Sequence, residues 1–188
     1  MSNFVAVLDT NVLFGFTVRN LLLTMANPQR LYTPYWSNQI MAELDHALRR
    51  ERPNVDFRDV YEHMNDMLPD AARNPPRQLI DAMTNHPKDR HVLALAVMVN
   101  AQVIVTDNSR DFGPEHCTKF GIQAVTADAF IVNQIHLYEG EVVEAFHMVA
   151  NALARKRPMT PSQLIGIIRP QLPQAMTELT RLMDARDL

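Results

Sequence analysis

The chain opens with a short unbroken apolar run, Phe4-Val5-Ala6-Val7-Leu8, that stops abruptly at Asp9-Thr10-Asn11. An apolar run of strand length bounded by turn-forming residues predicts a strand buried on both faces, as in a parallel sheet. Val103-Ile104-Val105-Thr106 repeats the pattern and ends at Asp107, while Leu31-Tyr32-Thr33 and Ile122-Gln123-Ala124-Val125 predict two more short strands. Between the strands the apolar residues fall at helical spacing. Val18, Leu21, Leu22 and Met25 mark a helix over 17–26 that Asn27-Pro28 stops. Ser37 serves as N-cap of a helix to about Arg50, with Ile40, Met41, Leu44, Ala47 and Leu48 as its stripe and Pro53 beyond its end. A helix from Asp56 to Met67, a Pro-containing loop from Pro69 to Pro76 and a helix from Asp89 to Asn100 follow, the last facing inward through Val92, Leu93, Ala96 and Val97. Strands alternating with helices predict an α/β fold, a mainly parallel sheet covered on both faces.

Beyond about Thr126 the strand pattern ceases. Helices are predicted near 127–139, 141–155, 161–168 and 173–186, punctuated by Pro158, Pro161, Pro170 and Pro173. Two parts follow: an α/β unit over 1–126 and a helical C-terminal extension over 127–188. With 188 residues, 47% of them apolar, the chain can bury a substantial core, and a net charge of −3 excludes a polybasic binder. The charge is uneven: residues 1–150 carry 12 basic and 18 acidic side chains, residues 151–188 carry 6 and 3. The tail, with Arg155-Lys156-Arg157, therefore offers either a local positive patch or merely a solvated helix end. Cys117 is the only cysteine, so the chain has neither an internal disulfide nor a Cys-x-x-Cys zinc pair. Apolar runs such as Val92 to Val99 fall short of the roughly 18 residues of a membrane helix. The start Met1-Ser2-Asn3-Phe4 has no basic stretch of a secretory signal. The expectation is a cytoplasmic protein with no membrane association.

Candidate chemistry lies in the carboxylates. In an open parallel sheet the site lies beyond the carboxyl ends of the strands, where Asp9 and Asp107 each follow a buried-looking strand. Glu43 borders the apolar stripe of its helix, Asp89 stands in the first turn of its own, and Asp111 follows Asp107 by four residues. Each has a bland reading, as turn former, first-turn helix acid or solvated residue. Converging carboxylates repel one another and must be protonated, paired or held by metal. A hard divalent ion, Mg²⁺ or Mn²⁺, suits oxygen ligands and would activate water against a phosphodiester. No Gly-rich phosphate loop, His-Glu-x-x-His or Gly-x-Ser-x-Gly competes with this reading.

Four segments carry a resemblance: Val7-Leu8-Asp9-Thr10-Asn11-Val12-Leu13, Ile40-Met41-Ala42-Glu43-Leu44, Pro87-Lys88-Asp89-Arg90-His91-Val92-Leu93-Ala94-Leu95-Ala96, and Val103-Ile104-Val105-Thr106-Asp107-Asn108-Ser109-Arg110-Asp111-Phe112. In this order and at these intervals they resemble the PIN-domain ribonucleases, especially the VapC-type toxins of toxin–antitoxin pairs, over about residues 4–126. The resemblance implies a three-layer α/β/α sandwich and a metal-dependent endoribonuclease holding Mg²⁺ or Mn²⁺. Asp9, Glu43 and Asp89 would match the first three acids. Asp107 and Asp111 both stand as candidates for the fourth, Asp107 placed slightly ahead, with Thr10 or Asn108 orienting water or metal. RNA as substrate, a small antitoxin and a homodimer are implied in the same way. The helical extension is similar to that of longer members of the family, and its role as dimer contact, antitoxin dock or RNA contact stays open.

Arg90 and Arg110 adjoin the acids and could hold RNA phosphates or screen the carboxylates. His86 and His91 are spaced poorly for a transition-metal pair and are expected in structural or surface roles. The methionines read as core packing. Trp36 and Tyr35 read as packing over the sheet, with base stacking the sharper possibility. Two other functions remain open: a catalytically idle PIN-like module that binds RNA or protein, and an Asp-based phosphatase. Against the phosphatase, Asn11 breaks the Asp-x-Asp pattern.

Overall fold

The computed structural model describes residues 4–155 and 157–186. Lys156, at the centre of the basic triplet, lies outside them. The order of elements is β1 Val5–Leu8, α1 Thr10–Phe14, α2 Phe16–Ala26, β2 Thr33–Tyr35, α3 Asn38–Glu51, α4 Phe57–Met67, α5 Arg77–Asp81 and α6 Arg90–Met98. Then come β3 Val103–Val105, a 3₁₀ turn at Ser109–Phe112, α7 Pro114–Cys117, a second such turn at Thr118–Phe120, β4 Gln123–Val125, α8 Ala127–Leu137, α9 Glu139–Ala154, α10 Pro161–Ile168 and α11 Pro173–Arg186.

The four strands form one sheet in the order β2-β1-β3-β4, parallel throughout. Ala6, Val7 and Leu8 of β1 and Ile104 and Val105 of β3 are buried, as central strands covered on both faces require. On one side α6 packs on β1 and β3. On the other, α2 packs against β2 and α9, and α9 against α8. Phe130 of α8 meets Tyr32 edge-on, ring centroids 4.9 Å apart, and stacks on Phe4. The helices after residue 126 thus complete a layer of the sandwich, with α10 and α11 packed on α8 and α9.

Three differences from the sequence reading have local causes. β2 is Thr33–Tyr35 and not Leu31–Thr33, because Leu31 and Tyr32 are spent as core anchors before the strand, Tyr32 donating its hydroxyl to Leu22 O. The short helices α1, α5 and α7 lack the length over which a helical period declares itself. α6 begins at Arg90, one residue after Asp89, and ends at Met98, since Asn100 takes a left-handed φ of 53°. Ser37 caps α3 as expected, its Oγ accepting from Ile40 N at 3.2 Å.

The topology also fixes where a ligand can sit. β1 leads away to β2 on one side and β3 to β4 on the other, so the loops after β1 and β3 diverge and leave a crevice at the carboxyl end of the sheet. Asp9 and Thr106 stand side by side at that point, with Asp9 N donating to Val105 O at 3.1 Å. Among the described residues, no helix is long and apolar enough to cross a membrane.

Candidate metal centre

Asp9 is the fixed point of the crevice. It is 4% exposed and accepts from three donors: Thr10 N at 2.7 Å, Asn11 Nδ2 at 2.8 Å and Thr106 Oγ1 at 2.7 Å. The first contact is the N-cap of α1, which turns the strand-ending acid into a helix start. Burial nevertheless raises the pKa of Asp9, helped by the nearby Glu43 charge and opposed by the donors, Thr106 foremost. A buried carboxylate held by its donors yet penalised for its charge is suited to receive a cation.

Glu43 projects from α3 toward the same crevice. Its Oε2 accepts from the Thr10 hydroxyl at 2.9 Å, and its Oε1 lies 3.0 Å from Nε2 of His91. His91 is buried on α6, and its Nδ1 has no hydrogen-bond partner. Burial acts to raise the Glu43 pKa, but His91 and Thr10 outweigh it and the net shift is downward. Glu43 is thus poised as an anion.

Asp89 lies at the start of α6 with its side chain 20% exposed. Its pKa is raised to about 6, first by desolvation and then by the charges of Asp9 and Asp111. Asp111, on the 3₁₀ turn after β3, is oriented by Asn108, whose Nδ2 donates to Oδ2 at 2.6 Å. His86 Nδ1 stands 3.4 Å from Asp89 Oδ2, and one donor atom each of His86, Asp89 and Asp111 lie within 4.8 Å of one another.

The structure therefore brings Asp9, Glu43, Asp89 and Asp111 to one crevice, with Thr10 and Asn108 orienting two of them. It does not bring Asp107, the residue placed ahead of Asp111 from sequence. Asp107 is exposed, its backbone N–H donates to Asn11 Oδ1 at 3.0 Å, and its Oδ1 accepts from Ala127 N at 3.3 Å. The reason is the sharp turn after β3, which points successive side chains in different directions and gives this one to the start of α8. Arg90 is half-buried and donates to Asn85 O at 3.3 Å, while Arg110 is exposed. Trp36 is buried beside the sheet, in keeping with packing.

Three partners escaped the sequence reading. Thr106 and Asn11 interlock with Asp9 through Asn11 Nδ2 to Thr106 Oγ1 at 3.0 Å, and Thr106 Oγ1 also accepts from Asn108 N at 3.0 Å. A hydroxyl directly after an all-apolar strand was the available signal. His91 does take a buried place, but against a site carboxylate, and only the packing of α6 could reveal that.

The four acids fit a hard divalent cation by the chemistry of their donors: oxygen ligands, excess negative charge, and one member, Asp89, whose pKa is raised by burial and by its acidic neighbours. Comparison with known proteins agrees with the fold. The family model described as "PIN domain" matches residues 5–110, and that described as "VapC50 C-terminal domain" matches residues 127–181. A protein of Mycobacterium tuberculosis (strain ATCC 25618 / H37Rv) named "Putative ribonuclease VapC50" is 39% identical over 104 residues, which cover 55% of this chain and 61% of that protein. The chain thus spans less than two thirds of the length of that relative. No solved structure matches.

Proposed function

The chain belongs to the PIN-domain family, and from that premise we propose that it is a Mg²⁺- or Mn²⁺-dependent endoribonuclease, the toxin of a type II toxin–antitoxin pair. The observation that carries the reading is the meeting of Asp9, Glu43, Asp89 and Asp111, from four separate segments, at the crevice between β1 and β3. In this reading residues 1–126 are the nuclease unit and 127–188 the helical extension. The substrate is RNA, the partner a small antitoxin, and the place of action the cytoplasm. A homodimer is part of the same proposal.

Asp9, Glu43, Asp89 and Asp111 would hold the cation. When bound, it supplies Lewis acidity toward a phosphodiester and lowers the pKa of water in the site. The protein's own part is positional. Thr10 N, Asn11 and Thr106 fix the Asp9 carboxylate, and Thr10 and His91 fix both oxygens of Glu43. Asn108 holds one oxygen of Asp111 and leaves the other for the site. Asp89, with its raised pKa, exchanges a proton near neutral pH and so can take one up or release it as the site fills. Arg110, exposed one residue before Asp111, would meet a phosphate of the RNA strand in this reading.

The test is cleavage of total cellular RNA by the purified full chain in Mg²⁺ or Mn²⁺, with EDTA and Asp9→Asn as controls and the ends mapped. Discrete cuts that vanish in both controls are the expected result. RNA binding without cleavage by the folded chain would instead favour the idle binding module.

A further inference from the structure

We propose that His86 is a metal ligand, and that with Asp89 and Asp111 it forms an oxygen-and-nitrogen subsite at the rim of the crevice that favours Mn²⁺ over Mg²⁺. The inference rests on the nuclease reading, since two of the acids are shared with it, but it assigns a residue and a metal preference that the four acids do not imply.

The geometry is that of a gap. His86 Nδ1 and Asp89 Oδ2 are 3.4 Å apart, an ion pair when the imidazole is protonated and two free donor atoms facing one another when it is neutral, and Asp89 also shares a hydrogen bond with Asp111. Two ligands bonded to one ion at about 2.1 Å, and about 90–110° apart, stand about 3.0–3.4 Å from each other. The third donor, on Asp111, lies within 4.8 Å of both, so small side-chain rotations complete a three-point face. Asn108 donates to Asp111 Oδ2 and thereby turns the carboxylate so that its other oxygen is left for an ion. His86 is half-exposed, so a cation and its remaining waters have access. It also precedes Pro87, whose ring restricts the backbone of His86 and limits the arc its imidazole can sweep.

The chemistry then separates the ions. Mg²⁺ takes oxygen and sheds water reluctantly, so it gains little from an imidazole. Imidazole nitrogen suits the later first-row ions best, and Mn²⁺, which stands at the weak end of that series and shares the carboxylate preference of Mg²⁺, still accepts a nitrogen ligand more readily than Mg²⁺ does. His91 does not compete for this role, because its Nε2 faces Glu43 and both its nitrogens are buried.

The experiment is pulsed EPR on the full chain loaded with Mn²⁺ alone, in wild type and His86→Ala, with the Mn²⁺ affinity of each measured by titrating the free-ion signal. A nitrogen coupling is expected in wild type and lost in His86→Ala, together with about a tenfold loss of Mn²⁺ affinity. Mg²⁺ affinity, measured by competition, should change by less than about twofold. Growth on ¹⁵N-histidine should convert the coupling to the ¹⁵N pattern, which ties it to an imidazole whatever the stability of the variant. Mn²⁺ binding with no nitrogen coupling, or a coupling that persists in His86→Ala, overturns the assignment and leaves the nuclease reading standing. No Mn²⁺ binding at all by the folded chain overturns both.

Discussion

Asp107 gives its carboxylate to the amide of Ala127 at the start of α8, at 3.3 Å, although it ends the strand that leads directly into the site. Asp111, four residues on, faces Asp89 instead. The two acids should therefore respond differently. Asp111→Asn should lower RNA cleavage by about 100-fold or more, the scale of losing one electrostatic group in a preorganised site. Asp107→Ala should leave cleavage within about threefold and cost about 0.5–1 kcal/mol of stability through the lost helix-start contact. Cleavage rates and urea denaturation of both variants read this directly. The opposite ranking would return Asp107 to the site.

That pair also marks how far the sequence was legible. β1, β3 and α6 announce themselves because each is a continuous apolar segment ended by a polar residue, and with them the crevice and Asp9 follow from topology alone. Side-chain direction after a strand is another matter. It is set by the φ and ψ of three or four loop residues, here drawn into a 3₁₀ turn at Ser109–Phe112, and residue spacing does not encode it. His91 was hidden for a related reason: α6 is buried on nearly every side, so helical periodicity singles out no face for it.

Thr106 is the largest influence lowering the pKa of Asp9 against the pull of burial. Thr106→Val keeps the shape and removes the hydroxyl that donates to Asp9 Oδ2 at 2.7 Å. The Asp9 pKa should then rise further, so the pH at which cleavage reaches half its plateau moves upward. Mg²⁺ affinity should fall by about tenfold, as for other lost partners of ligands. Matching pH profiles for Thr106→Val and wild type would show that Asn11 and the Thr10 amide alone hold Asp9.

Asp89 sets a pH dependence of stability whose sign is definite. Its folded pKa of about 6 lies above that of an unfolded aspartate, so the folded chain binds the extra proton. The metal-free protein therefore loses stability as pH rises from about 4 through about 6. Thermal denaturation in EDTA should give a higher Tm at pH 5 than at pH 7, and Asp89→Asn should reduce that difference. Millimolar Mg²⁺ should raise the wild-type Tm more at pH 7 than at pH 5, because cation and proton compete for the same carboxylates. An equal rise at both values would mean that Asp89 takes no part in binding.

Asp128, in the first turn of α8, ties the C-terminal helices to the rest of the chain. Its side chain is buried and caps a helix far away in sequence: Oδ1 accepts from Ala175 N at 2.8 Å and Oδ2 from Gln174 N at 3.1 Å. These are amides of the first turn of α11, which no carbonyl of that helix can satisfy. Asp128→Ala leaves both without their acceptor and should cost about 1–3 kcal/mol. Hydrogen exchange distinguishes two ways in which the loss could appear. Because α8 packs on α9 and α11 while its Phe130 sits between Phe4 and Tyr32, a cooperative unit predicts lower protection in β1 and β3 as well as in α11. Loss confined to α10 and α11 would instead make the last two helices a separable cap, free to rearrange on a partner without disturbing the acids at the crevice.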